Sequence, residues 1–405
     1  MPFRTALMLL PSSWPGVLVA DASRLEDTPA LGVYIHWPFC SAICPYCDFN
    51  VHPVRDMQAA DWRAGYFLAL EHAQTMRADG PVETVFFGGG TPSLMPPELI
   101  GDLLADIDRR WGLAADAEIS LEANPVSAPE ARLQNLKAAG ITRLSLGAQA
   151  FDAAALKFLG RTHSLEQAED AFVAARGIFD RASLDLIYAR PDQTLDGWAR
   201  ELEHALALEP AHMSLYQLTI EPNTPFFTRH AAGKFDMPDE ALAADMYELT
   251  QETCAAAGLP AYEVSNHARD GHACRHNLAS WRGGDYFGIG PGAHGRVHTA
   301  QGRAATEALA KPAAWLESLV GGGDGLSEKR LLGHEDMHAE TVLLGLRLVE
   351  GVSMSRLEAA GVPLDKRRIA GLREAGLIAE IPHTLAVTQA GRLLLDRITD
   401  AVLAD

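Results

Sequence analysis

Three of the five cysteines in this 405-residue chain stand within one short string, FCSAICPYCDF, as Cys40, Cys44 and Cys47. The spacing is C-x3-C-x2-C. Three thiolates on one tight loop can hold three corners of a [4Fe-4S] cube and leave the fourth iron open to an exchangeable ligand. Zinc is the rival occupant, but a structural zinc site takes four ligands, usually as two separated pairs, so His36 or His52 would have to fold back onto the loop. Apolar packing gives no reason for three thiols at this spacing, and an odd cysteine count disfavours disulfides. The pattern fits metal chemistry in a reducing cytoplasm. Cys254, in the helical stretch from Leu242 to Ala257, reads as buried packing.

The loop must be carried by something. From residue 32 onward, short β-branched or aromatic runs alternate with helical patterns about thirty residues apart: GVYIHW, TVFFGG, EISLEAN, RLSLGAQ, SLDLIYA and HMSLYQLTI. The segments between them, such as PPELIGDLLADIDRRWG and LDGWARELEHALALEP, place apolar residues at three- and four-residue spacing. Short connections between such elements give right-handed crossovers and a parallel sheet. The predicted fold is α/β, a partial (β/α)6 barrel of parallel strands. Polar or glycine residues gather where the strands end: the cysteines, then Gly88 to Thr91, Glu122 with Asn124, Gln149, Asp185, and Gln217 with Thr219. Loops at the C-terminal ends of barrel strands converge on one mouth, so these ends predict one shared site.

Composition narrows the function classes. Lys plus Arg number 34 against 53 Asp plus Glu, a formal charge of −19, and a field of that sign repels nucleic acid. No apolar run approaches the ~20 residues of a membrane helix, which leaves only peripheral membrane contact open. Residues 1–31 read as a disordered N-terminal extension, because the apolar stretch from Ala6 to Leu10 is broken by Pro11 too early for a secretory signal. The barrel and its extension should occupy 32–320. The glycine-rich GGGDG at 321–325 marks a boundary, and 326–405 has the order helix, helix, hairpin, helix of a winged-helix-like α+β domain. Its charges balance, so DNA binding is not expected. A lid or docking surface over the barrel mouth is the expected role.

At this point the chain resembles the radical S-adenosylmethionine (radical SAM) superfamily, through C-x3-C-x2-C with Tyr46 before the last cysteine, following YIHWPFC. The strings GGGTP (88–92), EANP (122–125), RLSLGAQAF (143–151), GRTHS (160–164), LDLIYARPDQT (184–194), YEVSN (262–266) and GIGPGAHG (288–295) are similar to one branch of it, which holds oxygen-independent coproporphyrinogen III dehydrogenase (HemN) and the haem chaperones called HemW. The resemblance covers nearly the whole chain after residue 31. It implies that Cys40, Cys44 and Cys47 bind a [4Fe-4S] cluster whose open iron takes the amino and carboxylate groups of S-adenosylmethionine. It implies that Tyr34, Tyr46, Gly90, Thr91, Glu122, Gln149, Arg161 and Asp185 contact that molecule. The residue types agree: consecutive glycines let backbone approach a ligand, carboxylates suit an ammonium or a ribose diol, and the planar guanidinium of Arg161 suits a carboxylate. A surface ion pair is the plainer reading of Arg161.

Departures within the branch decide the function. Trp37 stands where the family often has Ile, and Ala189, Arg190 and Pro191 where it has GLP. The dehydrogenase carries a further cysteine just after the third ligand, and here that string runs Cys47, Asp48, Phe49. CRHNLASWR (274–282) resembles the HemW motif H-N-x-x-Y-W, with Ser280 in place of the tyrosine. A neutral imidazole is a good axial iron ligand, and His276 is the candidate, with Cys274 nearby; a hydrogen-bonded loop histidine is the plainer reading. The resemblance thus implies a haem chaperone, with haem as cargo, a haem-acceptor protein and an electron donor as partners. The alternative is the dehydrogenase, a radical SAM oxidative decarboxylase.

Overall fold

The computed structural model describes residues 31–54, 59–77 and 79–403; the N-terminal extension expected up to residue 31 otherwise lies outside these residues. All six expected strands form: Leu31–Trp37, Val82–Gly89, Leu113–Ala123, Arg143–Gln149, Arg181–Tyr188 and His212–Gln217. Each pairs in parallel with the next. Leu31 opens the first strand, so the barrel begins one residue earlier than expected.

Alternation along these strands builds two different faces, since successive side chains point to opposite sides. Val33, Ile35, Val85, Phe87, Leu144, Leu146, Leu184, Leu186, Met213 and Leu215 are all essentially buried on the outer face. Helices cover that face. Pro97–Trp111 sets Leu99, Ile100, Leu103, Leu104, Ile107 and Trp111 against it at helical spacing. Leu165–Ile178 starts on a capping box of Ser164 and Gln167, and Leu195–Ala207 on Thr194; each such cap contributes about 1 kcal/mol. The other face carries Ser120, Glu122, Arg143, Ser145, Ser183, Asp185, His212 and Ser214, a polar lumen inside an apolar wall.

The sheet extends beyond the six units. Asp285–Ile289 pairs in parallel with the first strand, followed by antiparallel His294–Thr299, Gly302–Ala308 and Leu326–Leu331; Asn266–Ala268 pairs antiparallel with the sixth strand at the opposite edge. The expected boundary at 326 therefore moves: Leu326–Leu331 belongs to the barrel sheet, and the C-terminal unit begins after it.

That unit has its own core of Val342, Leu346, Val352, Leu357, Ile369, Leu385 and Ile398. Helix His334–Arg347 leads through a two-residue strand to Met354–Ala359 and Lys366–Glu374. Ile378 then bridges Val387, Val352–Ser353 pairs with Thr384–Leu385, and helix Leu395–Leu403 closes the unit. Its position corrects the expectation of a lid over the mouth. Arg347 donates to the fully buried Glu263 at 2.5 Å and lies over the Trp281 ring, Arg282 pairs with Glu350 at 2.7 Å, and Val349 N–H donates to Tyr262 O. Those partners close the N-terminal end of the barrel. Arg143, Arg181 and His212, each the first residue of its strand, bond to His272 O, Gly271 O and the Tyr262 hydroxyl respectively. The C-terminal unit thus backs the barrel floor, at the far end from the cysteines. Among the described residues no helix is long and apolar enough to cross a membrane.

Candidate functional site

The cysteine loop leaves the first strand and is anchored from several sides. His36 accepts the Tyr34 hydroxyl proton at Nδ1 (3.0 Å) and donates from Nε2 to Asn50 O (2.9 Å), while Tyr66 donates to His36 O. Asn50 Nδ2 donates to Pro291 O and Ala310 O at 2.9 and 2.8 Å, and Gly292, at φ +74°, leaves room for that side chain. Both nitrogens of His36 are thereby committed, and His52 Nε2 lies 3.3 Å from Asn50 Oδ1. Among the described residues neither histidine joins the cysteines in a set that could hold one metal ion, so the zinc site the sequence left open is not completed in that way. No three His, Cys, Asp or Glu side chains among the described residues converge as a mononuclear ion requires. A cube spreads its thiolates over separate irons and does not need one point of convergence.

The thiols face the strand ends as expected. Thr91 Oγ1 donates to Cys40 Sγ at 3.4 Å, and Arg161 Nη1 to Cys44 Sγ at 3.5 Å. Burial pushes the Cys40 thiol up and that of Cys47 up to about 11, the neighbouring cysteines adding to both. Gly90 N–H donates to Trp37 O at 2.7 Å and Thr91 N–H to Phe39 O at 2.9 Å, which stitches the end of the second strand to the loop. A side chain at Gly90 would stand 2.8 Å from Phe39 O and 2.9 Å from Trp37 O, so only glycine permits this approach.

Arg161 Nη2 donates to Gly147 O at 2.7 Å, while its Nε is buried without a partner. A cavity beside Cys44 is lined by Ser41, Thr91, Asn124, Gly160 and Arg161. Tyr46 packs near Phe226, with Arg161 and Cys44 as its polar neighbours. Gln149 ends the fourth strand at φ +70°, a conformation rare for a side-chain-bearing residue. Glu122 accepts from Gly89 N–H at 3.1 Å; burial, with Asp185 opposite, pushes its carboxyl up to about 8. Burial also raises Asp185, but Ser145, Ser214 and Ser183 hydroxyls and the Arg143 charge oppose the rise. Of this pair, Glu122 is pushed furthest toward its protonated form, while the hydroxyl donors and Arg143 favour the ionised form of Asp185.

Ten of the twelve expected site residues, the three cysteines with Gly90, Thr91, Glu122, Gln149, Arg161, Asp185 and Tyr46, therefore meet at one mouth, with Tyr34 just beneath it. His276 does not join them. Its ring is 7% exposed at the floor, with Nδ1 2.9 Å from Thr84 Oγ1 and the ring against Phe86. Burial lowers it to about 4, so the imidazole is neutral. Cys274 is also buried at the floor. Sequence reasoning missed His212, Ser145, Ser183 and Ser214 beneath Asp185, and Tyr216 above them in the lumen. Their signal was in plain view: RLSLG, SLDLI and HMSLY alternate polar with apolar inside what otherwise reads as a doubly covered sheet.

Residues 34–205 match the Radical SAM superfamily, and residues 332–394 match the HemN C-terminal domain. The chain belongs to the radical SAM superfamily, in the branch of HemN and HemW. Within that branch, the heme chaperone HemW of Escherichia coli (strain K12) is 37% identical over 384 residues, covering 93% of this chain and 99% of its own length. The heme chaperone HemW of Mycobacterium tuberculosis (strain ATCC 25618 / H37Rv) is 37% identical over 92% of this chain and 94% of its own. Radical S-adenosyl methionine domain-containing protein 1, mitochondrial, of Bos taurus is 35% identical over 95% and 91%. Among solved structures, coproporphyrinogen III oxidase (HemN) from Escherichia coli, described as a radical SAM enzyme, superposes with a TM-score of 0.74 at 23% identity, covering 94% of this chain and 92% of that one; the likeness is one of fold.

The residues present fit the cofactors this family implies. Three thiols on one braced loop, a cationic donor on Cys44, a glycine edge that a Cβ would fill, an unpartnered buried Arg161 Nε and two lumen carboxylates are a donor set for a cluster and a zwitterionic, cationic small molecule.

Proposed function

We propose that this chain is a haem chaperone of the HemW kind, which holds a [4Fe-4S] cluster and S-adenosylmethionine at the barrel mouth and passes haem to an acceptor protein. One observation carries the choice over porphyrinogen decarboxylation: Asp48, exposed directly after Cys47, stands where the resemblance calls for the dehydrogenase's extra thiol. The relatives named heme chaperone HemW, 37% identical along nearly their whole length, support the same reading.

In this proposal Cys40, Cys44 and Cys47 hold the cluster. When bound, cluster and S-adenosylmethionine together supply one-electron cleavage of a carbon–sulfur bond. The chain's own part is positional. Arg161 would take the carboxylate through its free Nε edge, Gly90 and Thr91 would offer backbone at close range, and the Glu122–Asp185 pair would face the cationic or diol side of the molecule, with Tyr34, Tyr46 and Gln149 around it. His276 is the proposed haem ligand. With Nδ1 held against Thr84, Nε2 is the nitrogen left for iron, an arrangement of the kind that orients metal-binding histidines. Its burial means that helix Arg275–Trp281 must part from the strand ends for haem to reach it. An electron donor, an acceptor protein and a reducing cytoplasm complete the proposal.

The test is anaerobic reconstitution followed by parallel haem titration and coproporphyrinogen III turnover. Haem bound near one per chain, with no turnover, is the expected outcome; conversion to protoporphyrinogen IX would overturn the chaperone reading.

A further inference from the structure

Below Asp185 the inward-facing residues of three strands form one continuous hydrogen-bonded chain. Ser145 donates to the carboxylate at 2.8 Å and Ser183 at 3.1 Å. With its hydroxyl proton given to Asp185, the Ser183 oxygen accepts from His212 Nδ1, 2.7 Å away. His212 thus carries its proton on Nδ1 and accepts at Nε2 from the Tyr262 hydroxyl at 2.9 Å, and the Tyr262 oxygen accepts the Cys274 backbone N–H at 3.3 Å. Every proton in the chain points toward Asp185. His212 is 2% exposed; burial first, then the Arg143 charge, holds it well below the ordinary imidazole value, so it is neutral and has one tautomer to adopt.

We infer that His212 and Ser183 are positioning residues for S-adenosylmethionine: they hold the Asp185 carboxylate in one orientation beneath the ligand. The inference rests on the reading that Asp185 contacts S-adenosylmethionine. The physical need is specific. Asp185 faces a second carboxylate, Glu122, in a lumen that penalises charge, so an Asp185 that lost its donors would take up a proton or swing away. A serine hydroxyl alone is a rotor with three staggered choices; the His212 N–H on its oxygen leaves the direction toward Asp185. The charged and titratable groups facing Asp185 are Glu122 from the third strand, Arg143 from the fourth, and His212 and Tyr216 from the sixth.

The experiment uses the full chain, anaerobically reconstituted, with S-adenosylmethionine binding measured by equilibrium dialysis from pH 6.5 to 8.5 beside iron content and thermal midpoint. His212→Leu and Ser183→Ala should each bind about tenfold more weakly at pH 7 than the wild type, with wild-type iron content, because each removes a hydrogen bond that bears on a charged group. The weakening should be greatest at the acid end of the range, where a carboxyl without its donors is most easily protonated. His212→Asn, whose amide nitrogen stands where Nδ1 was, should return to within about threefold of wild type. His212→Leu binding within twofold of wild type would overturn the inference. So would His212→Asn as weak as His212→Leu, which would make the effect one of packing. Where His212→Leu does not fold, Ser183→Ala decides, and wild-type affinity there overturns the inference. A wild type that does not bind S-adenosylmethionine would instead remove the reading of Asp185 itself, a result distinct from variants that match a binding wild type.

Discussion

Replacing Glu122 by Gln removes a carboxyl whose ionised form the lumen resists. The carboxyl sits at about 8 in the folded protein against an ordinary 4.5, with burial the larger cause and Asp185 the second. A folded-state pKa raised above the unfolded one contributes stability that is complete below the unfolded value and is lost as pH rises through the folded value. The window here runs from about pH 4.5 to 8. At about 1.4 kcal/mol per unit, raising the pH from 6 to 8 should cost the metal-free wild type about 2 kcal/mol through this group alone, after allowance for partial ionisation at the top of the window. Glu122→Gln stays neutral throughout and should show none of that loss, and should melt above the wild type at pH 8. Urea or thermal unfolding of the metal-free barrel at pH 6, 7 and 8, wild type beside Glu122→Gln, measures the difference. Parallel pH profiles for the two proteins would refute the argument. In the cluster-loaded protein S-adenosylmethionine should narrow the gap at pH 8, because a bound cation stabilises the ionised pair that the lumen by itself does not.

Three shorter predictions test the mouth and the floor. Cys44→Ala, reconstituted anaerobically, should lose most of its iron and its brown absorbance; full retention of both would show that this thiol is not a ligand. Gly90→Ala places a methyl at 2.8 Å from Phe39 O, a contact only backbone movement can relieve, and should cost about 1–3 kcal/mol and lower iron retention, read by melting and iron assay. Arg347→Ala takes the salt-bridge partner from the buried Glu263, leaving it the Ser265 N–H and Asn266 amide as donors, and should destabilise the protein by about 3 kcal/mol in unfolding experiments, while S-adenosylmethionine affinity at the distant mouth stays at the wild-type value.

The parts legible in the sequence were those set by local chemistry. Six β-branched runs alternating with amphipathic segments mark six strands whatever their partners, and the residues at their ends fall at one mouth because parallel strands bring their ends together. The antiparallel extension escaped notice because GRAATEA and LSEKRL carry little of the β-branched or apolar pattern that marks a buried strand, and LSEKRL, at the sheet edge, is exposed along most of its length. The place of the C-terminal unit was equally hidden: it is decided by contacts such as Arg347 with Glu263, 84 positions apart in the chain. The lumen network needed register. Ser183 meets His212 only because the fifth and sixth strands pair those two positions, and a shift of the sixth strand by one residue would turn His212 into the outer wall.

That dependence on register explains how one barrel serves two incompatible demands. Burial of the outer-face Val, Ile, Leu and Phe side chains contributes on the order of 1.5–3 kcal/mol each, so stability is carried by the face that does no chemistry. The inner face is then free to hold groups that a core would reject: two facing carboxylates, four serines, an arginine and a neutral histidine. The cysteine loop follows the same division. His36, Asn50 and Tyr66 brace it from behind, against the backbone of the Pro291 and Ala310 loops, while its thiols face the mouth, where Thr91 and Arg161 donate to them. A loop fixed by groups other than its own ligands keeps its shape before iron arrives, so the ordering cost of the site is met by the fold and cluster binding need not supply it.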